Sequence, residues 1–309
     1  MRIVIALGRT SLIPNLSGSH EDAVETSLQS SLASISKIVR EHELILCVGV
    51  SLTDMQPPAN ASAQARAAVP GQSRNQDVER VIERQLAGAI LPEREVTSVA
   101  ITVETELNDR QAAMRMTGPS YSKAEADSFA ARHNWRISKD GDQWRRVVPV
   151  AAPHRILQSR PIHWLIDKGT VVICHNSGLP VSRDGNGRLR SVEAVVEEDL
   201  VWELLARDLE ADLFVMATDT DAVYQDWDGP KRRAIRLASP DMLDAADFAG
   251  DTIGTKVTAA CRFAESTGNA AAIGRLSEIV GIIAGEKGTT ISPYVDGVTS
   301  HERRKGEGR

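Results

Sequence analysis

The sequence predicts an α/β fold, a three-layer αβα sandwich built on a mainly parallel sheet. The first reason is that apolar strands alternate with amphipathic helices along most of the chain. The second is that the strands are continuously apolar, as in Leu213–Ala217, which indicates burial on both faces of a sheet. The third is that glycines and polar residues follow the strands directly, where open α/β sheets bind ligands.

The chain opens with a β-α-β unit. Arg2–Leu7 is predicted to be a strand that ends at Gly8, and Glu43–Val50 is predicted to be the next strand. Between them, apolar residues at helical spacing predict a helix over His20–His42. Such a unit gives parallel neighbouring strands joined by a right-handed crossover.

The segment that follows leads to a small excursion from the main sheet. The composition of Pro57–Asn75 predicts a mobile loop or a short helix. The further predicted elements are a helix Gln76–Ala89, a strand Val96–Val103, a partly helical polar segment Glu104–Arg115, and, in the excursion Met116–Val150, a helix Lys123–His133, a turn at Gly141 and an apolar run Trp144–Val150.

The centre of the chain reads as strand, loop, helix, strand. Thr170–Cys174 is a β-branched apolar strand, and His175–Val181 is a loop. Ser191 can cap the helix that carries the sequence VEAVVEEDLVWELLARDL. The strand Leu213–Ala217 follows and ends in the polar run Thr218–Asp221, at the edge of the sheet where ligands bind.

The last third of the chain continues the alternation. The predicted elements are a charged loop Gln225–Arg233, a helix start at Ser239-Pro240, a helix Ile253–Thr267, a strand Ala270–Ile273, a short helix or turn Arg275–Val280, an edge strand Gly288–Ile291 and a frayed tail His301–Arg309.

Composition excludes several classes of protein. The formal net charge of −6 gives no basic surface for nucleic acid, and no apolar run approaches the roughly 20 residues of a membrane span. The three cysteines include no CxxC pair, which argues against a disulfide framework or a zinc ribbon. Structural thiols are the favoured interpretation, with a metal site at Cys47, Cys174 and His175 as the alternative. We expect a soluble cytoplasmic protein with a small-molecule substrate and no nucleic-acid or membrane partner.

Two motifs carry a resemblance to a known family. VEAVVEEDL followed by ADLFVMATDTDAVY resembles the carbamate kinase branch of the amino-acid kinase family, and the similarity extends to Trp144–Val150 and Gly254–Val257. The resemblance implies an acceptor lobe over residues 1–190, with a lid at about 107–150, a nucleotide-binding lobe over 191–300 and a tail over 301–309. It also implies a homodimer.

The resemblance further implies where the chemistry lies. Phosphoryl transfer needs close backbone approach, cations that neutralise the transferred charge, and in-line positioning. The catalytic residues would be Lys256, Asp199 and Arg115, with ATP or ADP and Mg²⁺ as cofactors and no metal site formed by the protein alone. The nucleotide-binding residues would be Thr218, Asp219, Asp221, Tyr224, Gly8 and Gly178, and the acceptor-binding residues would be Arg9, Thr10, Gly49 and Ser51.

Several positions depart from the family pattern. Glycine-rich loops of the family are replaced at Gly8–Ser11, Val48–Leu52 and His175–Gly178, and a family lysine is replaced by Glu198. A carboxylate beside the expected phosphates should repel them by about 1–4 kcal/mol. Glu198 could be a general base, although a solvated helix face is the more ordinary interpretation.

Three functional hypotheses follow. The leading one is an ATP-dependent carbamate kinase (ATP + carbamate = ADP + carbamoyl phosphate) of nitrogen or arginine-type catabolism. The second is a catalytically silent family member that binds a nucleotide or metabolite as a regulatory subunit. The third is a kinase of the same fold with a less polar acceptor, suggested by Val48, Val50 and Leu52. Arg9 and Arg115 could replace lost cations or be solvated charges, and Asp219 and Asp221 could hold Mg²⁺ or form structural hydrogen bonds.

Overall fold

The computed structural model describes residues 1–8, 11, 31, 33–49, 81, 83–85, 87–91, 94–106, 113–176, 179–226, 232–243, 248 and 252–301. Several predictions lie outside these residues. They concern Arg9, Thr10, Ser51, Gly178, the loop Pro57–Asn75, most of the helix His20–His42, and the tail after His301.

The described strands are numbered along the chain, and the long parallel strands among them have the apolar, often β-branched composition that favours extended backbone. They are β1 (Arg2–Gly8), β2 (Glu43–Gly49), β3 (Val96–Ile101), β4 (Val103–Thr105), β5 (Met114–Tyr121), β6 (Arg136–Asp140), β7 (Gln143–Ala151), β8 (Pro153–Ile156), β9 (Val171–Asn176), β10 (Val181–Arg183), β11 (Leu189–Ser191), β12 (Val195–Val196), β13 (Leu213–Thr218), β14 (Tyr224–Gln225), β15 (Arg233–Ala238), β16 (Ala270–Arg275), β17 (Thr289–Ile291) and β18 (Val298–Ser300).

Ten of the described strands form one central sheet. Its order is β14-β15-β17-β16-β13-β1-β2-β9-β3, with β18 paired to β15. Neighbouring strands are parallel in the series β16, β13, β1, β2, β9 and β3. The pairs β14–β15, β15–β18 and β16–β17 are antiparallel. The predicted α/β class with a mainly parallel sheet is therefore confirmed.

Helices cover both faces of this sheet. Helical backbone is found at residues 33–41, at the described residues between 81 and 90, and at Lys123–His133, Ser159–Asp167, Glu198–Asp208, Thr252–Thr267 and Ile279–Ile283. We call Glu198–Asp208 the central helix and Thr252–Thr267 the long helix. The helix Lys123–His133 begins with a capping box between Ser122 and Glu125, which satisfies two backbone N–H groups.

The core has two halves because alternate strand residues point to opposite faces of the sheet. One half packs against the central and long helices and includes Val4, Ala6, Ile45, Cys47, Phe214, Met216, Val201, Leu205 and Phe263. The other half packs against the helices at residues 33–41 and 279–283 and includes Ile3, Ile5, Leu7, Leu44, Leu46, Val215, Ile35, Val39, Ile279 and Ile282. Helices therefore sandwich the sheet in three layers.

The segment from residue 114 to residue 151 forms a sheet of its own. Strands β5 and β6 both pair with β7, and β12 pairs with its end at Ala151. Tyr121 and Phe129 form a small core with Trp135 and Trp144 packed against it. This unit, residues 114–151, falls largely within the segment predicted as a lid at about 107–150, and we use the word lid only as its label; its role as a lid stays a prediction.

Four predicted elements are wrong in detail. Ser191 does not cap a helix, because Leu189–Ser191 pairs with Val181–Arg183 as a hairpin, and the central helix begins only at Glu198, after the N-cap residue Glu197. Both described ends of the segment Glu104–Arg115 are strands instead of helix, since Glu104 lies in β4 and Arg115 pairs with β7.

The other two errors concern sheet order. Thr289–Ile291 is not an edge strand, because it lies between β15 and β16. The charged loop Gln225–Arg233 is flanked by a short hairpin in which Tyr224 pairs with Ala234. The position of Thr289–Ile291 depends on pairing with the distant strand β15, whereas Tyr224–Gln225 pairs across the loop itself; local composition encodes neither partner.

Cys47, Cys174 and Cys261 are free, buried thiols. Among the described residues, no helix combines the length and apolar character that a membrane crossing requires.

Candidate active site

The carboxyl ends of three parallel strands meet at one edge of the sheet. Gly8 at the end of β1 is the register partner of Gly49 at the end of β2. On the other side of β1, Leu7 pairs with Ala217, so Thr218 at the end of β13 lies at the same edge. This is the edge at which α/β sheets bind ligands.

An ion pair from two helices lies over this edge. Lys256 in the long helix donates a hydrogen bond of 2.7 Å from Nζ to Oδ1 of Asp199 in the central helix. Thr255 donates a second bond, of 2.6 Å, to Oδ2 of Asp199. Both side chains of the ion pair are largely buried, with 10% and 13% of their surface exposed. A buried charge pair persists only when its remaining polar atoms are also satisfied, and Thr255 supplies that bond.

The ammonium group of this pair faces Gly8. A Cβ atom added to Gly8 would lie 3.5 Å from Lys256 Nζ and 3.7 Å from the carbonyl oxygen of Ala217. The absence of a side chain leaves room between the strand end and the ammonium, where an anionic group could approach the backbone. The structure thus brings Lys256, Asp199 and Gly8 together, although Asp199 and Lys256 are 57 residues apart in sequence.

Glu198 lies over the neighbouring strand end. A Cβ atom added to Gly49 would meet the Glu198 carboxylate, at 2.4 Å from its carbon and 2.5 and 2.6 Å from its oxygens. The interpretation of Glu198 as a residue of a solvated helix face is therefore wrong, because its carboxylate packs against β2. Burial raises the pKa of the Cys47 thiol well above its usual value, with smaller contributions from Cys174 and from the Glu198 charge.

Arg115 occupies a different part of the site. Its Nη2 atom lies 2.7 Å from Oε1 of Glu197, the residue that immediately precedes the central helix, and its side chain is about half exposed. A second lid arginine, Arg146, contacts Glu193 at 2.6 Å. The lid is therefore linked by two ion pairs to the segment that leads into Glu198 and Asp199.

The polar run after β13 is stabilised by its own side chains. Thr218 donates to Asp219 Oδ1 over 3.1 Å, and the Tyr224 hydroxyl donates to Asp221 Oδ1 over 3.0 Å. The Arg232 guanidinium lies 3.9 Å from the centroid of the Tyr224 ring. The segment forms a defined, partly exposed surface that begins at the end of β13, next to β1, and runs past β16 and β17 to β14.

Thr289, which the sequence analysis does not single out, holds this segment through buried hydrogen bonds. Thr289 is fully buried; its hydroxyl accepts a 2.9 Å bond from Val223 N and donates a short 2.5 Å bond to the carbonyl oxygen of Ile235. Thr255 and Glu197 were missed as well. Thr255 and Glu197 lie inside motifs that carry the resemblance, but their roles depend on partners that are distant in sequence or on the lid, and Thr289 has no local signal at all.

A metal site was the alternative for the cysteines. Cys47 and Cys174 are register partners on β2 and β9, and burial lowers the pKa of His175 from its usual value. No group of three or more His, Cys, Asp or Glu side chains is placed to hold a metal ion in the part of the chain that the structure describes.

Comparison with known proteins identifies the family. The sequence profile of the amino acid kinase family matches residues 1–274. The carbamate kinase of Haemophilus influenzae is 36% identical over 307 residues, covering 97% of this chain and 99% of the relative. The carbamate kinase of Rhizobium meliloti is 35% identical over 311 residues, with 97% and 96% coverage.

Solved structures agree with the sequence comparison. Carbamate kinase from Giardia lamblia bound to AMP-PNP superimposes with a TM-score of 0.78 at 25% identity, covering 94% of this chain and 98% of that one. UMP kinase from Bacillus anthracis, at 12% identity and a TM-score of 0.50, shares the fold. The chain therefore belongs to the amino acid kinase family, in the branch formed by the carbamate kinases.

Proposed function

We propose that the protein is a carbamate kinase-like phosphotransferase that moves the γ-phosphoryl group of ATP to an oxygen of carbamate, giving ADP and carbamoyl phosphate. The observation that carries this proposal is the buried Lys256–Asp199 pair held over Gly8 at the carboxyl end of β1. The similarity to carbamate kinases over almost the whole chain supports the same reaction.

The reaction makes modest demands on the protein. The acceptor oxygen belongs to a carboxylate that is already ionised, so no general base has to remove a proton. The bond between the γ-phosphorus and the bridging oxygen breaks, with its electron pair staying on ADP, while a new bond forms from the carbamate oxygen to phosphorus. Catalysis then consists of positioning and of neutralising charge on the transferred group.

Lys256 is the residue best placed to neutralise that charge. Its ammonium lies over Gly8, whose missing side chain lets a phosphoryl oxygen approach. Asp199 keeps the ammonium in place, and Thr255 keeps the carboxylate in place from the same turn of the long helix. In this proposal Lys256 contacts the reacting atoms, whereas Asp199 and Thr255 act through it.

The run after β13 is proposed to hold the nucleotide. Thr218 ends β13, the neighbour of β1, and Asp219, Asp221 and Tyr224 continue from it along the same edge of the sheet on a segment held by Thr289. Mg²⁺ that accompanies the nucleotide phosphates would neutralise them further. Mg²⁺ bound in this way needs only one or two protein carboxylates, which this segment supplies.

The first part of the chain, residues 1–190, is proposed to hold the acceptor. Gly49 lies within the described site, and Arg9, Thr10, Ser51 and Gly178 belong to the same proposal on the basis of the family resemblance alone. Arg115 would bring the lid, within residues 107–150, to the acceptor through its contact with Glu197. We also propose residues 191–300 as the nucleotide lobe, a homodimer, and a cytoplasmic location, which the free thiols favour.

The two other hypotheses, a catalytically silent family member and a kinase with a less polar acceptor, are weighed against the same site. A catalytically silent member would have no need of the charge pair at Gly8, so the retained pair favours an enzyme. A less polar acceptor stays a prediction, because the Glu198 carboxylate against Gly49 adds a charged group at the end of β2 and not an apolar surface.

The direct test runs the reaction toward ATP. The purified full chain is mixed with Mg-ADP and carbamoyl phosphate, and ATP is measured with a coupled enzyme. We expect steady ATP formation that Lys256→Met lowers by about 10²–10³-fold, the cost of removing one electrostatic donor from such a site. Absence of ATP formation by the unaltered protein would refute the proposal.

A further inference from the structure

The carboxyl end of a fourth parallel strand lies at the same edge of the sheet as the buried ion pair. Strand β16 is parallel to β13, and its last residue, Arg275, is the register partner of Thr218. Because β13 lies between β16 and β1, Thr218 has Arg275 on one side and the end of β1, at Gly8, on the other. Arg275 is exposed, and neither the sequence motifs nor the mechanism proposed above gives it a role.

The polar run after β13 lies directly against the end of β16. A Cβ atom added to Gly274 would lie 3.3 Å from the carbonyl oxygen of Asp221 and 2.8 Å from Ile282 Cδ1, so the absence of a side chain allows this close approach. The next residue, Arg275, reaches the same run, because its Nε donates a hydrogen bond of 3.1 Å to the carbonyl oxygen of Asp219. This bond holds the guanidinium beside the segment proposed to bind the nucleotide.

The bond from Nε leaves four N–H donors on the guanidinium of Arg275. Its two Nη amino groups form no hydrogen bond or ion pair with the part of the chain that the structure describes. The Asp219 carboxylate instead accepts a bond from the Thr218 hydroxyl. The Asp221 carboxylate accepts one from the Tyr224 hydroxyl. Two parallel N–H donors match two oxygens of one phosphate group, and such charge-assisted pairs are among the strong hydrogen bonds in proteins.

Two cations therefore flank the end of β13. Lys256 Nζ lies on the β1 side, near Gly8. The Arg275 guanidinium lies on the β16 side, at the carbonyl oxygen of Asp219. Neighbouring strands lie about 4.8 Å apart, so the ends of β1 and β16 are separated by about 9.6 Å. A chain of phosphate groups laid across the end of β13 can contact both long side chains, whereas a single phosphate at Gly8 cannot.

A nucleoside di- or triphosphate has the chemistry that this arrangement needs. In the proposed reaction the transferred phosphoryl group lies at Gly8 and Lys256, and the other two phosphates stay on the ADP that leaves. Negative charge develops on that ADP as its bond to the γ-phosphorus breaks. A guanidinium on the far side of β13 from Lys256 neutralises the charge on the leaving group, and Lys256 neutralises the charge on the group in transfer.

We propose that Arg275 is a nucleotide-binding residue that donates hydrogen bonds from its Nη groups to the phosphates of ATP or ADP that are not transferred. The inference rests on the proposed function, because it takes the run after β13 as the nucleotide site, and it adds a contact from β16 to that site. Adenosine has no phosphate for this guanidinium to bind. The contact should therefore strengthen the binding of ADP and leave the binding of adenosine unchanged.

The test compares a ligand that carries phosphates with one that lacks them. In the purified full chain, the Kd of Mg-ADP is measured by calorimetry and the Kd of adenosine by its displacement of Mg-ADP. The readout is the ratio of the adenosine Kd to the Mg-ADP Kd, because a purely structural role of Arg275 would weaken both ligands alike. Arg275→Ala removes the guanidinium, and Arg275→Lys keeps a charge without the pair of parallel donors. Arg236→Ala is the matched control, because it removes the same charge from an exposed position on β15 of the same sheet.

The expected result is that Arg275→Ala lowers the ratio by about tenfold or more, through weaker binding of Mg-ADP, and changes the adenosine Kd by less than about twofold. Arg275→Lys should give an intermediate ratio, and it also provides the test if the alanine variant does not fold. Arg236→Ala should leave the ratio unchanged. Added salt should narrow the difference between the unaltered protein and Arg275→Ala, because salt screens the charge of an exposed side chain.

The possible failures of the inference and of the proposed function can be told apart. An unaltered ratio in both Arg275 variants, or equal losses of affinity for the two ligands, would refute the phosphate contact and leave the proposed function intact. Normal binding of Mg-ADP without ATP formation from carbamoyl phosphate would refute the proposed function, and the ratio would still decide the role of Arg275. Absence of Mg-ADP binding by the unaltered protein would refute both.

Discussion

Substitution of Thr255 by valine tests whether catalysis needs the hydrogen bond that positions Asp199, because the substitution removes this bond and leaves the Lys256–Asp199 ion pair in the sequence. Thr255→Val keeps the shape of the side chain and removes the hydroxyl that donates a 2.6 Å bond to Asp199 Oδ2. A bond of this kind to a charged group contributes about 1.5–3 kcal/mol. If that energy holds Asp199, and through it Lys256, in the geometry for transfer, losing it corresponds to about 10- to 100-fold in kcat.

The assay is ATP formation from carbamoyl phosphate and Mg-ADP over a range of both substrates. We expect kcat to fall with little change in KM for ADP, because the nucleotide segment is not touched. Thr258→Val is the control: its hydroxyl donates a 2.9 Å bond to the Gly254 carbonyl oxygen, within the same helix, so it removes a similar bond away from Asp199. The control should keep its kcat. An equal kcat in both variants would show that Asp199 needs no second anchor, and the reasoning would fail.

Three further predictions concern stability and the lid. Thr289→Val should lower the free energy of unfolding by about 1–3 kcal/mol, measured by urea titration, because it leaves the buried Val223 N–H without its acceptor. Burial raises the pKa of Glu203, so its carboxylate destabilises the fold once ionised; Glu203→Gln should become the more stable protein as pH rises from about 4 to 8, and a pH-independent difference would contradict this. Arg115→Ala should change the free energy of unfolding by less than about 1 kcal/mol, because its pair with Glu197 is half exposed, while kcat/KM for carbamoyl phosphate falls; a large loss of stability with unchanged kinetics would make the pair purely structural.

The main strands could be predicted closely because each is a continuous apolar run. Arg2–Leu7 was predicted and Arg2–Gly8 is observed, and Leu213–Ala217 was predicted where Leu213–Thr218 is observed. Strands that are buried on both faces are apolar at every position, so they can be identified without knowing which strands lie beside them. The family resemblance is confirmed by the amino acid kinase profile over residues 1–274 and by the carbamate kinases that match nearly the whole chain.

The errors share one physical cause, which is that backbone pairing with another segment, whether near or far in sequence, overrides the preference of a segment's own residues. Ser191 has the chemistry of a helix cap, but antiparallel pairing with Val181–Arg183 takes it into a strand. Thr289–Ile291 reads as a terminal strand, but the earlier strands β14 and β15, with β18, extend the sheet beyond it. Sequence composition records the preference of each segment, and not the partner that finally satisfies its backbone.

The site was predictable only in part for the same reason. Lys256, Asp199 and Gly8 were singled out by resemblance, and the fold brings them together. The contact between Glu198 and Gly49 had no sequence signal, because it depends on how the first turn of the central helix sits over β2. A cluster of charged residues on a helix is ordinarily solvated. Here the position of the central helix places the Glu198 carboxylate against β2 instead.

The central claim is that Lys256, held by Asp199 over Gly8, neutralises charge on the phosphoryl group in flight. The most direct measurement is the single-turnover rate of phosphoryl transfer by rapid quench in Lys256→Met, with ADP affinity measured by calorimetry on the same preparation. We predict that the transfer rate falls about 10²–10³-fold while ADP affinity changes only a few-fold. A transfer rate close to that of the unaltered protein, with ADP bound normally, would contradict the claim.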